Sequence, residues 1–295
     1  MPQDELEVPP AAAGERLDAW LARALGGSSR SRAASLIDRD AVRVDGELRP
    51  KAHRLRGGER IALAEPPLEE SPAPAGPLPR VVWESDDLLV VDKPAGLVVH
   101  PAPGHRSVTL VERLAERSGG AWEPLAVHRL DRGTSGLMLV AKRAETRDEL
   151  QKLIRSRLLV REYVALAEGE LGSVTGTIDA PLGRGARDRT RMVVGGERPR
   201  DARTHFQVER SLPRFTLVRV RLETGRTHQI RAHFAAIGHP LAGDRAYGAR
   251  APLGLDRQFL HSARLAFRYS GEPDGVDQTS ALPEDLVAAL RSAAG

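Results

Sequence analysis

An aspartate in an arginine-rich turn is the residue of this chain best placed to do chemistry. Asp131 stands between Arg129 and Arg132, just ahead of a turn bounded by Gly133 and Gly136. Nearby positive charge favours an ionised carboxylate, which can attack carbon or accept a proton. The spacing alone also matches a surface turn with a local ion pair. The run therefore predicts a presented nucleophile or base, with the surface turn as its alternative.

Other reaction classes lack the residues that they need. The chain has no cysteine, which excludes disulfides, thiolate zinc sites and thiol nucleophiles. It also lacks the GxxxxGK[ST] phosphate loop, the GxGxxG fingerprint and the HExxH zinc motif. His128 and Ser135 flank Asp131, but the GxSxG elbow of serine hydrolases is missing. His228 and His233 are five residues apart, not the i, i+4 spacing of a helical zinc site. We expect no metal and no cofactor.

Four motifs carry a resemblance to a known family. VHRLDRGTSGLMLVAK, which contains Asp131, resembles the signature of the RluA family of pseudouridine synthases. KPAGLVVHP at 93–101, TGRTHQIRAH at 224–233 and GHPLAGDRAYG at 238–248 resemble further motifs of that family, in the same order. The resemblance implies that Asp131 is the catalytic residue of a reaction that isomerises uridine without a cofactor. Attack on the ribose, addition to the pyrimidine ring and proton abstraction all need the same ionised carboxylate, so the route stays open.

The resemblance also implies roles for other residues around a base that has left the RNA stack. Arg129 matches the side chain that enters the RNA where the base departs, and Tyr163 matches the aromatic that stacks on the extruded uracil. Arg231 matches the basic partner of the catalytic carboxylate, and Leu241 is a candidate for an apolar contact with the base. We also assign His128 to substrate binding. By pattern alone, Tyr163 is equally a half-buried strand residue and Arg231 a helix-surface arginine.

Composition points to an intracellular RNA-binding protein of two domains. The chain has 295 residues and a net charge of +4, and that length exceeds the ~100 to 200 residues typical of one domain. Its first residues are acidic, and no apolar run approaches the ~18 residues of a membrane span. We therefore expect a cytoplasmic protein. The positive charge is local, because residues 30–60 hold nine basic and five acidic side chains.

Residues 14–64 are predicted to form a small α/β RNA-binding domain. Leucines at 17, 21 and 25 predict one helix, and Ser31 is expected to cap a second that carries Ala34, Leu36 and Ile37. Short strands follow around an Asp45–Gly46 turn. The segment resembles the domain named after ribosomal small-subunit protein four, with Arg32 and Arg43 as RNA contacts. The alternative is a solvated basic face on an ordinary small domain.

The remaining chain predicts a linker and an α+β catalytic domain. Residues 65–80 contain six prolines, which favours an extended spacer. In residues 81–290 helical patterns are few, at 109–115, 145–154 and 228–237. Strand patterns dominate and include 137–141, 158–167, 204–208 and 215–222. The expected fold is a long bent mixed or antiparallel sheet with flanking helices, as the resemblance also implies.

An arginine-rich segment lies inside this domain. Residues 183–191 hold four arginines and are expected to form a flexible loop. Such a loop would clamp RNA beside the cleft, or alternatively would be a solubilising insertion.

Taken together, the motifs predict an RNA pseudouridine synthase with RNA as its partner. The two-domain layout favours large-subunit ribosomal RNA as the substrate, with transfer RNA as the alternative. Rival interpretations are a non-catalytic RNA-binding factor for ribosome assembly and a metal-free hydrolase that uses Asp131 and releases uracil. A monomer is the default oligomeric state.

Overall fold

The chain forms two compact units. The computed structural model describes residues 4–25, 30–38, 40–63, 79–100, 108–186, 188–250 and 253–295. The described residues up to 63 belong to unit 1, and those from 79 onwards belong to unit 2. The predicted proline-rich linker at 65–80 lies almost wholly outside the described residues. The proposed boundaries at 14–64, 65–80 and 81–290 therefore stay predictions.

Unit 1 packs two helices against a small antiparallel sheet. Its elements are β1 (Asp4–Glu7), a 3-10 turn (Pro10–Ala12), α1 (Leu17–Ala24), α2 (Arg30–Asp38), β2 (Val42–Val44), β3 (Glu47–Leu48) and β4 (Arg60–Leu63). The strand order is β1-β4-β2-β3. Leu17, Trp20 and Leu21 of α1 bury one helical face against Val42, Val44 and Ile61 of the sheet. Trp20 and the aliphatic side chains thus give the unit its own core.

The turn prediction in unit 1 is confirmed, whereas the α2 prediction needs correction. Asp45 and Gly46 both have positive φ, 49° and 81°, and join β2 to β3 as a two-residue hairpin. In α2, Ala33 and Ile37 are the buried pair, at i and i+4, while Ala34 is only partly buried. The helix also includes Arg30, so Ser31 lies inside it and is not its cap.

Unit 2 is built on one large mixed sheet, as the expected α+β class requires. Its strands are β5 (Arg80–Glu84), β6 (Leu88–Lys93), β7 (Leu125–Ala126), β8 (Ser135–Ala141), β9 (Val160–Glu168), β10 (Thr175–Asp179), β11 (Leu182–Arg184), β12 (Met192–Val194), β13 (Glu197–Arg200), β14 (Arg203–Leu212), β15 (Phe215–Leu222), β16 (Leu260–Tyr269) and β17 (Glu272–Thr279). Ten of the described strands form the large sheet, whose main path is β10-β14-β15-β9-β16-β8-β6-β5. Among its described pairs only β8 with β16 is parallel.

Both faces of this sheet are covered. On β6, Leu89 and Val91 enter one core cluster, while Leu88 and Val90 enter another on the opposite face. β8 is buried at every position, because it is covered on both faces. This burial explains why its sequence is a nearly continuous apolar run. This central strand follows Asp131 directly and fixes the position of the turn that carries it.

The helices of unit 2 flank the sheet. They are α3 (Leu110–Ser118), α4 (Ala144–Arg155), α5 (Gln229–Ala236), α6 (Glu284–Ala294) and a 3-10 turn (Arg245–Tyr247). The three predicted helices are confirmed within a few residues, and Thr109 caps α3 in a capping box with Glu112. α6 was not predicted. Nor is the arginine-rich segment entirely a loop, because Gly183 and Arg184 belong to β11, the centre of a three-stranded sheet. No helix in the described parts of the chain is long and apolar enough to cross a membrane.

Candidate active site

A cleft in unit 2 collects most of the residues that the sequence singled out. Its volume is about 430 Å³, which lies within the range of small-molecule pockets. The β7–β8 loop, the end of α4, the start of β9, the loop after β15 and the start of α5 line it. His128, Arg129, Asp131, Tyr163 and Arg231 all contribute to its wall.

The backbone around Asp131 is held by its own turn and by the loop that follows β6. Thr134 N–H donates to the Asp131 carbonyl at 3.0 Å, which closes the turn. Gly96 N–H donates to the Arg132 carbonyl at 2.8 Å. The ammonium of the fully buried Lys93 donates to carbonyls on both sides, at 2.9 Å to Leu97 and 3.4 Å to Arg132. The KPAGLVVHP motif therefore serves to fix the turn that presents the carboxylate.

The absence of a side chain at Gly133 has a local structural reason. A Cβ at this position would collide with the side chain of Gln258, which donates to Thr134 Oγ1 at 2.9 Å. Arg257 Nη1 donates to the Gly133 carbonyl at 3.0 Å. The segment before β16 thus braces the turn from behind.

The ion-pair partner of Asp131 comes from α5 and not from its sequence neighbours. Arg231 Nη1 donates to Asp131 Oδ2 at 3.2 Å, and His228 Nε2 lies 4.0 Å from the same oxygen. Arg129 is exposed, and Arg132 Nε donates instead to the Gly96 carbonyl. The expectation that the flanking arginines hold Asp131 is therefore wrong. Oδ1 of Asp131 forms no hydrogen bond with any described residue and is left for a ligand.

Arg231 is shared by two carboxylates and an aromatic ring. Its Nε and Nη2 donate to the two oxygens of Asp244 at 2.6 and 2.9 Å, a bidentate pair. Its guanidinium carbon lies 4.8 Å from the centre of the Tyr247 ring. Burial alone would lower the pKa of Arg231, but the hydrogen bonds to Asp244 and the charges of Asp244 and Asp131 raise it. The guanidinium is thus permanently charged and fixed in orientation.

His228 and Tyr247 complete this side of the cleft. His228 precedes α5 with a φ of 54°, and its Nδ1 lies 3.0 Å from the Tyr247 hydroxyl. Burial lowers the pKa of His228, and the nearby charge of Asp131 opposes that shift. The Tyr247 hydroxyl donates to the Met192 carbonyl at 3.1 Å, and burial raises its pKa. Both side chains are therefore uncharged supports for Arg231 at neutral pH.

β9 supplies the opposite side with two alternate residues. Tyr163 is 4% exposed, and burial raises its pKa. Arg161, two residues earlier on the same face, is 3% exposed. His128 Nε2 accepts the Leu139 N–H at 3.2 Å, which places the ring proton on Nδ1. Burial and the positive charge of Arg161 lower the pKa of His128 to about 3, so that this histidine is neutral.

Of the other three predicted site residues, one lies in the core of unit 2 and two belong to unit 1. Leu241 is fully buried in the core, where it bridges to Ala167, and it does not line the cleft. Arg43 is exposed on β2 of unit 1, with Nη1 donating to the Gly46 carbonyl at 3.1 Å. Arg32 lies on α2, and its side chain is outside the described residues.

The sequence interpretation missed four side chains of the site. Asp244 and Tyr247 both stand in the GHPLAGDRAYG motif, and Lys93 opens KPAGLVVHP, so the motifs held a signal for them. Arg161 has no such signal, because one more arginine in a chain with 44 basic residues does not stand out. Within the described residues, no group of three or more His, Cys, Asp or Glu side chains could hold a metal ion.

Comparison with known proteins places this cleft in a family. Residues 87–236, half of the chain, match the family described as RNA pseudouridylate synthase, and residues 15–61 match the S4 domain. Ribosomal large subunit pseudouridine synthase D of Nitrosomonas europaea is 40% identical over 302 residues, covering 98% of this chain and 87% of that protein. YlyB of Bacillus subtilis, described as an uncharacterized RNA pseudouridine synthase, is 38% identical over 279 residues, 92% of each chain.

A solved structure extends the likeness from sequence to fold. The structure of human RNA pseudouridylate synthase domain containing 1 superposes with a TM-score of 0.57 and 28% identity, covering 70% of this chain and 84% of that one. The family match, the relatives that align over most of the chain and the similar fold all agree with the cleft that contains the HRLD turn. This chain belongs to the RNA pseudouridylate synthase family, and is an RNA pseudouridine synthase, an isomerase.

Proposed function

We propose that this enzyme isomerises uridine to pseudouridine in large-subunit ribosomal RNA, with Asp131 as its catalytic residue. The observation that carries the catalytic assignment is the carboxylate itself. One oxygen of Asp131 is held by Arg231 at 3.2 Å, while the other has no hydrogen-bond partner among the described residues and lies in the cleft. The substrate class rests on the relatives, one of which is named for the large ribosomal subunit.

The reaction needs an ionised carboxylate next to the sugar and the base. The bond from the ribose to a ring nitrogen breaks, the base turns, and ring carbon five joins the ribose instead. Arg231 keeps Asp131 charged and holds it in one orientation, while Asp244 and Tyr247 keep Arg231 in place. Whichever atom Asp131 attacks, its free oxygen is the reacting atom.

Tyr163 and Arg129 supply the two contacts that base extrusion requires. A base taken out of a stack needs a surface to lie on, and the RNA needs a side chain in the vacated place. Tyr163 offers its buried ring on the cleft wall, and the exposed Arg129 has the freedom to enter the RNA. Neutral His128 contributes a polar edge beside them.

Unit 1 provides affinity for the RNA outside the cleft. It matches the S4 domain, and its segment from 30 to 60 carries a net charge of +4 from nine basic and five acidic residues. Arg32 and Arg43 are the proposed phosphate contacts. We further propose a cytoplasmic monomer that works without metal or cofactor, since isomerisation involves no net redox change.

Chemical mapping of pseudouridine in RNA from cells that lack the protein tests this proposal. We expect specific positions in large-subunit ribosomal RNA to lose pseudouridine, and the wild-type gene to restore them. Asp131→Asn should restore nothing, although it still binds RNA. Asp277→Asn, a matched change at an exposed ion pair outside the cleft, should restore the modification fully.

Other outcomes identify the rivals. Loss confined to transfer RNA would replace the substrate class. Unchanged modification with RNA binding retained would favour an assembly factor, and release of free uracil by the purified protein would indicate a hydrolase.

A further inference from the structure

One buried cation in the cleft has no counter-charge. Arg161 on β9 is 3% exposed, and its guanidinium forms no hydrogen bond or ion pair with any described residue. Its Nε is fully buried without a partner. Arg231, on another wall of the same cleft, has two carboxylates. The contrast separates an arginine that is satisfied within the protein from one that is not.

The carboxylates that line the cleft are committed elsewhere. They are Asp131 and Glu223. Asp131 is paired with Arg231, and Glu223 contacts Arg157 at 2.9 Å and His205 at 2.7 Å. The neighbours of Arg161 on the wall, Tyr163 and His128, carry no negative charge. A buried charge without a partner costs several kcal/mol, so that Arg161 destabilises the unliganded protein.

The structure keeps room for this guanidinium. Arg161 extends from β9 towards the loop after β15, where a Cβ on Gly225 would lie 2.6 Å from its Nη1. Gly225 does not have a positive φ, so backbone conformation does not require glycine there. The missing side chain therefore leaves space that the arginine occupies.

We infer that Arg161 binds a backbone phosphate of the target nucleotide while Tyr163 contacts its base, an assignment that rests on the proposed function. Uracil and ribose are neutral, so the phosphate is the only anion that the nucleotide brings into the cleft. The planar fork of an arginine matches phosphate oxygens in a bidentate contact. Two residues along a strand span about 6.6 Å, which separates the two contacts along one wall.

Arg161→Met tests the assignment, because methionine fills similar space without charge. We expect a melting temperature equal to or above that of the wild type, since an unpaired buried charge is removed. With a ribosomal RNA transcript, kcat/KM should fall about 10- to 100-fold, as for loss of a hydrogen bond to a charged group. The slope of log kcat/KM against log salt concentration should become shallower by about 0.7 to 1, which is the contribution of one phosphate contact.

Arg264→Met is the matched control. Arg264 lies on the neighbouring strand β16, is paired with Asp277 and does not line the cleft. Its loss should leave the salt slope unchanged. A lower melting temperature in Arg161→Met, together with the wild-type salt slope, would show that Arg161 is structural and overturn the inference.

A chemical variant of the substrate addresses the contact directly. The probe is a synthetic RNA spanning the mapped uridine, with an uncharged methylphosphonate at either flanking linkage and the adjacent 2′-hydroxyl replaced by hydrogen. Strands with the same 2′-deoxy change and normal phosphates are the reference. At one linkage the neutral group should slow the wild type about 10-fold or more and should leave Arg161→Met unaffected. Equal slowing of both proteins at both linkages would refute the contact.

Gly225→Ala gives a second route that retains the charge. The new methyl group should displace the guanidinium and lower kcat/KM in the wild-type background, with no further effect in Arg161→Met. Additive effects would contradict the inference. Failure of the proposed function is distinguishable, because then the wild type itself would produce no pseudouridine.

Discussion

Arg231 joins the Asp131 carboxylate to the rest of the cleft through Asp244. Both Asp244 oxygens are used, and the Asp244 side chain is only 2% exposed. Asp244→Asn keeps the shape but removes the charge and one acceptor. We expect unfolding to become easier by about 3 kcal/mol, as for a broken buried ion pair, and kcat to fall more than KM rises. Urea denaturation and single-turnover kinetics measure the two effects.

The exposed pair of Asp277 with Arg264 is the control for this prediction. Asp277→Asn should cost less than about 1 kcal/mol and leave kcat unchanged. Equal losses in the two variants would mean that Asp244 has no special part in holding Arg231.

Lys93 gives the turn a pH dependence that can be measured. Burial lowers the pKa of its ammonium from 10.5 to about 7. Between these values the unfolded chain binds more protons than the folded one, so stability from this group rises with pH. The slope can reach about 1.4 kcal/mol per pH unit. Urea unfolding at pH 7.5 and 9.5 should show this rise in the wild type and a smaller one in Lys93→Met. An equal rise of stability with pH in the two proteins would exclude Lys93 as its source.

At this scale the motifs predicted the residues of the cleft well, whereas the local pattern of charges around Asp131 predicted the wrong contacts. His128, Arg129, Asp131, Tyr163 and Arg231 all line the cleft, because each lies in a motif or a clear strand. The flanking arginines were the wrong partners for Asp131, since a tight turn directs neighbouring side chains apart. The resemblance implied Arg231 as the partner of Asp131, and the two are hydrogen-bonded across 100 residues of sequence. The local pattern around Asp131 contains no information on that contact.

The parallel pairing of β8 with β16 sets the close approach behind the turn that carries Asp131. Gly136 has a φ of 107°, and a Cβ there would collide with the carbonyl oxygen of Ser262. Gly136→Ala should therefore cost more than about 2 kcal/mol, from positive-φ strain and overpacking together. It should also reduce activity by shifting Asp131. Thermal unfolding and turnover assays test this.

Gly172→Ala is the matched control among the glycines. Apart from its two chain neighbours, no described residue has an atom within 4 Å of the place that its new methyl group would take, and Gly172 has no positive φ. A change of stability similar to that of Gly136→Ala would contradict the steric explanation.

Periodicity predicted elements where one physical signal dominates. β15 matches its predicted span of 215–222, because apolar residues fill most of it, and α3 carries its own capping box. α6 was missed because it is rich in alanine and gives a weak apolar pattern, and only Leu286, Ala289 and Ala293 of it are buried. The arginine-rich segment was expected to be a loop, since glycine and arginine hide the register that pairs β11 with β12 and β13.

On the scale of the whole molecule, we propose that affinity for RNA and chemistry belong to different units. Unit 1 has a separate core and an exposed basic strand residue, Arg43. Arg43→Glu should raise KM for a ribosomal RNA transcript about 3- to 10-fold, reduce the salt slope by about 1 and leave kcat unchanged. Steady-state kinetics at several salt concentrations measure all three quantities.

Arg291→Glu on α6 makes the same charge change at an exposed position of unit 2. It should leave KM and the salt slope as in the wild type. If both variants weakened binding equally, general charge and not unit 1 would determine affinity.

Arg161 and Tyr163 occupy alternate positions of β9, so the strand fixes the distance between the two contacts that we infer for the target nucleotide. Tyr163 would contact a planar base and Arg161 an anion, at a separation that the pleat of the backbone sets. A free nucleoside would reach only Tyr163, and inorganic phosphate only Arg161. Discrimination of a phosphate-bearing nucleotide against a free nucleoside or free phosphate would then be a property of two side chains on one strand, even before any sequence is recognised.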